Sequence, residues 1–146
     1  MNKNNILAGL GGALVLTVLN ETLKGSSENM PRIDLVGEEA VMKVAAFFGV
    51  EIEDSNTLYG TTLAGDIISN TAYYSLIDGK DNKLWTKAVS AGAIAGIAAV
   101  KLPEQIGLNE EPVAKTIATK ALTMGYYMAG ALATAALLKL LDKQAK

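Results

Sequence analysis

Residues 121–138 read ALTMGYYMAGALATAALL. The stretch holds no charged side chain, and its polar groups are two threonines and two tyrosines. A helix on the surface of a soluble bundle normally keeps one polar face. This one has none, and the apolar run around it is long enough for a bilayer, which takes roughly 20 residues to cross. Residues 84–100, LWTKAVSAGAIAGIAAV, repeat the pattern, because Ser90 is the only strongly polar side chain between Ala88 and Val100. A third run, LYGTTLAGDIISNTAYYSLI, covers residues 58–77 and carries an aspartate in its middle. The first, ILAGLGGALVLTVL at residues 6–19, is short and must borrow its flanks or sit in a thinned bilayer.

These runs predict an all-α integral membrane protein, a bundle of four transmembrane helices in one membrane domain. The expected spans are about 5–21, 58–77, 84–102 and 115–141. The basic start and apolar middle of the first run also fit a secretory signal. Gly25 and Ser27 make only a poor cleavage site, so retention of this segment is expected. Between the first two runs, Val41, Val44, Ala45 and Phe48 recur at helical spacing, with Glu38, Glu39 and Lys43 elsewhere on the wheel. This predicts an additional amphipathic helix over about 37–49 in the first outer loop, ended by Gly49 and lying on the membrane surface or over the bundle.

Lysines orient the chain. With the N-terminus inside, Lys3, the 78–87 hinge and the C-terminal tail place seven Lys on the inner side, against six basic residues in the outer loops. Cytoplasmic loops carry the excess of Lys and Arg. Both termini are therefore expected in the cytoplasm, with Trp85 and Tyr59 as interfacial anchors. The small size and Lys/Asn-rich character point to a bacterial inner membrane.

Composition removes several chemistries. The chain has no His and no Cys, which excludes disulfides, thiol catalysis and the usual zinc sites. A net charge of −2 gives no footprint for nucleic acid. No phosphate loop, nucleophile motif or recognisable metal spacing occurs, so neither cofactor nor metal is expected. Only 5% of residues are aromatic, and the Ala and Gly that fill the apolar runs suit close helix contacts. Small residues recur every four in Ala121, Gly125, Ala129 and Ala133, in Ala88, Gly92 and Gly96, and in Ala8 with Gly12 and Gly9 with Ala13. In lipid such stripes let backbones approach. They serve packing within the chain first and a homo-oligomer second.

Asp66 is the charge that needs explaining. Thr62, Asp66, Ser69 and Tyr73 share one helix face, with Asn70 beside it. A charge about 12 Å inside a span should face the bundle interior and have a partner. Lys120, on a face with Thr123 and Tyr127, reaches a similar depth from the same side and is the expected partner. Glu21, Arg32 and Asp34 collect at that outer end too. The inner halves of the first and last runs are almost devoid of polar groups. This asymmetry predicts a polar pocket open to the outer leaflet, built from Asp66, Asn70, Tyr73, Lys120, Tyr127, Glu21, Arg32 and Asp34. Its expected role is to bind or carry a lipid or other small amphiphile within the bilayer. Two alternatives stand beside it: a structural or assembly subunit, and an intramembrane lipid-modifying enzyme using Asp66 and nearby acids. Catalysis is the less favoured, because no set of catalytic groups is recognisable.

Overall fold

The computed structural model describes residues 2–144. Among them are six helices and no strand: α1 (Lys3–Leu23), α2 (Ile33–Phe47), α3 (Ser55–Tyr74), α4 (Asp81–Gln105), α5 (Glu111–Ala114) and α6 (Ile117–Gln144). The four long helices are α1, α3, α4 and α6, and they alternate in direction. α6 packs between α1 and α4, and α3 packs against α1 while its Tyr74 also touches α6. α2 lies against the start of α3, and α5 bridges α2 and α6.

Each helix starts or stops where local chemistry requires it. Asn2 caps α1 by accepting the Asn5 N–H at 3.0 Å, and Asp54 caps α3 by accepting that of Thr57 at 2.8 Å. α2 closes in a Schellman turn: the Val50 N–H donates to the Ala45 carbonyl at 2.9 Å and that of Gly49 to Ala46 at 3.0 Å. Gly49 takes φ +74° to make this turn, a conformation that glycine adopts without strain. The helix nevertheless begins at Ile33, four residues ahead of the expected start at 37, because its first N–H is satisfied from outside. Asn20 of α1 accepts the Ile33 N–H at 3.0 Å. α4 runs past Pro103 to Gln105. The proline sits in the last turn, so little helix remains downstream for it to break. The expected last span, 115–141, corresponds to α6, and the short α5 precedes it.

Among the described residues only α1 and α6 are long and apolar enough to cross a membrane. α3 carries Thr61, Thr62, Asp66, Ser69 and Asn70, and α4 draws its apolar character largely from Ala and Gly, with Lys83, Lys87, Lys101 and Glu104 along it. Those residues dilute hydropathy without preventing helix packing.

The core is made of small and aromatic residues: Ala8, Ala13, Ala88, Ala131 and Ala135 around Leu16, Tyr74, Tyr126 and Leu138. A methyl group on Gly12 would lie 2.4 Å from the Gly130 carbonyl, so α1 and α6 meet backbone to backbone there. Gly92 and Gly96 are pressed equally close to α6 at Met128 and Met124. On α6 the buried stripe is not the expected Ala121–Gly125–Ala129–Ala133 line. It runs through Thr119, Thr123, Tyr126, Gly130, Thr134 and Leu138. Thr134 returns its hydroxyl proton to its own helix, at the Gly130 carbonyl at 2.9 Å, and the Thr123 hydroxyl shares its one proton between the Thr119 carbonyl of its own helix and the Val113 carbonyl, both at 2.9 Å. With the hydroxyl satisfied, threonine packs as a small residue.

Candidate functional site

Two neighbouring features occupy the end of the molecule where α1 finishes and α3 begins. The first is an ion network. Asn20, near the end of α1, donates to Glu21 and to Asp34, both at 3.3 Å. Arg32 grips Asp34 through Nε at 3.0 Å and Nη2 at 2.7 Å. Lys24 bridges Glu21 at 2.9 Å and Asp34 at 3.5 Å, and stands 5.2 Å from the centre of the Tyr59 ring. The Tyr59 hydroxyl donates to Glu21 at 2.5 Å.

Asp34 is the hub of this network and is only 6% exposed. Burial pushes its carboxyl up. The hydrogen bonds from Arg32 and Asn20, with the charges of Arg32 and Lys24, outweigh burial and hold it below the usual carboxylate value. The network fixes α2. Asp34 lies in the first turn of α2, where a negative charge suits the helix dipole, and the Arg32 N–H donates to the Pro112 carbonyl at 2.9 Å. At its far end α2 is tied to the α4–α5 loop, where Lys43 donates to the Gly107 carbonyl and Glu39 accepts the Asn109 N–H at 2.8 Å.

The second feature is a groove of about 390 Å³ between α3 and α4, with α2 across one end. Ala95, Ala98, Ala99, Leu102 and Ile106 form the α4 wall. Asp66, Ser69, Asn70 and Tyr73 form the α3 wall, and Tyr127 of α6 reaches into the groove. Val36, Gly37 and Ala40 of α2 cover one end. Beyond Tyr73 the two walls are joined, because the Tyr73 hydroxyl donates to the Ala91 carbonyl at 2.9 Å. The absent side chain of Gly37 brings α2 onto Thr62 and Asp66: a Cβ there would lie 2.7 Å from Thr62 Cγ2 and 3.3 Å from an Asp66 oxygen.

Asp66 stands between the two features. It also lines a cavity of about 20 Å³ with Asn20, Glu21 and Asp34. Among the described residues its carboxylate has neither a hydrogen bond nor an ion pair. Lys120, the expected partner, lies elsewhere. It is exposed on the far side of α4, in a separate cleft with Val100, Lys101, Glu104 and Glu110. The physical reason is α5. Val113 and Ala114 are buried against Val100, Ile33 and Val36 and fill the space between the start of α6 and α2. The Thr123 hydroxyl, whose proton is shared with the Thr119 carbonyl, helps hold that turn in place at 2.9 Å from the Val113 carbonyl.

The eight residues singled out from sequence therefore separate. Asp66, Asn70, Tyr73 and Tyr127 share the groove; Glu21, Arg32 and Asp34 share the network; Lys120 belongs to neither. Asn20, Lys24 and Ser69 join these features without having been singled out. Lys24 was visible as the i+3 partner of Glu21, whereas nothing local marks Asn20 as a cap for a helix thirteen residues on. Among the described residues no group of acids could hold a metal ion. No protein-family model matches the chain, and no curated protein or solved structure is similar to it at a significant level. Fold and site thus define an all-helical protein with two helices able to cross a membrane.

Proposed function

We propose that the chain is a four-span membrane protein, both termini cytoplasmic, whose α3–α4 groove binds or carries a lipid-like or small amphiphilic ligand. The groove carries this reading. Its walls are apolar, its volume lies in the range of about 300–1,000 Å³ common to small-ligand pockets, and its polar groups converge on one carboxylate. An unpaired carboxylate in apolar surroundings is costly to a fold and leans functional inside a membrane. The spanning reading rests on how the helices are dressed. α1 turns Ile6, Leu7, Leu14, Val15 and Val18 outward and buries Ala8, Gly9, Gly12 and Ala13. Large residues outside and small ones inside is packing suited to lipid. On α2, Phe47 and Phe48 are 85% and 74% exposed, as suits a helix lying in the outer interface.

The test fills the groove. Ala99→Phe extends a ring from the α4 wall and should displace an amphiphile that wild type retains through purification, read by mass spectrometry of the extracted lipids. Equal retention by both proteins would count against the groove. A second reading, an assembly subunit joined by its Gly/Ala faces, draws on Gly125, which has open space around it. Gly125→Leu would then change the oligomeric state in detergent.

A further inference from the structure

The geometry points to a cationic amphiphile, with an amine or ammonium head and a single apolar chain, as the occupant of the α3–α4 groove; this rests on the amphiphile reading above. The groove has one charged group, Asp66, and no Lys or Arg lines it. The cations near by are committed elsewhere. Arg32 and Lys24 are held by Asp34 and Glu21, and Lys43 by Glu39 and the Gly107 carbonyl. A ligand must therefore bring its own positive charge to pair Asp66, and an anionic head would meet that carboxylate with nothing to neutralise either.

The uncharged groups agree. Ser69 gives its proton back to its own helix, at the Gly65 carbonyl at 2.8 Å, and Tyr73 gives its proton to Ala91. Both hydroxyls thus offer only lone pairs to the groove. Pro103, which lines the same wall as Ala99, has no N–H, so the Ala99 carbonyl lacks its ordinary helical donor. Carboxylate, carbonyl and hydroxyl acceptors outnumber the donors left on Asn70 and Tyr127. An ammonium carries up to three donors and no acceptor, which complements this set. The Ala95, Ala98, Leu102 and Ile106 wall takes the chain.

The experiment compares three probes of one chain length, decylamine, decanol and decanoate, titrated against the full-length protein in zwitterionic nanodiscs and counted by native mass spectrometry. Decylamine should bind about tenfold more tightly than decanol, the size of one charge-assisted hydrogen bond, and decanoate should bind weakest. Asp66→Asn should bring decylamine level with decanol, and Asp66→Glu should keep the preference. Decanoate binding as well as decylamine, or a preference untouched by Asp66→Asn, overturns the inference. If the asparagine variant does not fold, the ranking in wild type decides alone. Three probes bound alike would leave the amphiphile reading standing and remove the cationic one, whereas no probe bound would remove both.

Discussion

Asp34 and Asp66 are carboxylates on one small cavity, yet their surroundings assign them opposite work. Asp34 has Arg32, Lys24 and Asn20 around it. Removing it leaves three donors facing each other, so Asp34→Ala should cost about 1–3 kcal/mol by the usual penalty for stranding buried polar groups. Its pH dependence follows from the direction of its shift. A folded value below the unfolded one adds stability that is fully present above the ordinary carboxylate range, and that is lost as pH falls through the folded value, below about pH 4. Thermal unfolding of wild type should therefore weaken over that window, and Asp34→Asn should flatten this part of the profile. Asp66 has no partner to lose and faces the charges of Glu21 and Asp34 across their cavity. Asp66→Asn should leave the melting temperature equal or higher. A clear fall in stability would make Asp66 a structural residue after all. The clustering of acids at one end could be read in the sequence. The choice of partner could not, because it depends on α5 standing between Asp66 and Lys120.

Among elements, two glycines of α6 make a controlled pair. At Gly130 a methyl group would meet the Tyr74 hydroxyl at 2.6 Å and the Gly12 carbonyl at 2.9 Å. At Gly125 nothing lies within 4 Å. Gly130→Ala should destabilise by about 1–3 kcal/mol, as overpacking does. Gly125→Ala should be neutral or gain up to about 1 kcal/mol through helix propensity. Chemical or thermal unfolding of the two variants in one detergent separates them. Spacing alone marked Gly125 as the contact and missed Gly130. Both lie on small-residue lines of the same helix, and what selects between them is threonine. The Thr119 hydroxyl pairs with that of Thr116, and those of Thr123 and Thr134 reach carbonyls of their own helix, so all three join the buried face, which turns α6 away from the plain Ala/Gly stripe. The stripes on α1 and α4 were legible because no such threonines compete there.

For the whole molecule, the absence of cysteine makes topology directly measurable. Single cysteines at Glu28 and Asn109 should react with an impermeant maleimide from outside, and one at Asn82 should react only after permeabilisation. Reaction of all three from one side would contradict four spans. Length and apolar periodicity made every long helix legible, since a run that is apolar all round has few other structures open to it. On the four-span reading α3 and α4 are the less plainly written helices, because the groove puts Asp66, Ser69 and Asn70 on α3 and because Lys83, Lys87, Lys101 and Glu104 lie along α4. The groove itself could be read only in outline, as an excess of polar groups at the outer end. Its walls depend on how α2 is pinned at both ends, by the Arg32–Pro112 bond at one and the Glu39–Asn109 bond at the other, each joining residues far apart in the chain.

On the proposed reading Asp66 serves a bound ligand and not the fold. The most direct measurement is native mass spectrometry of the protein purified in mild detergent, wild type beside Asp66→Asn, with melting temperatures taken on the same samples. A small amphiphile should be retained by wild type and lost from the variant, with stability unchanged or raised. A bare wild-type protein together with a less stable variant would contradict it.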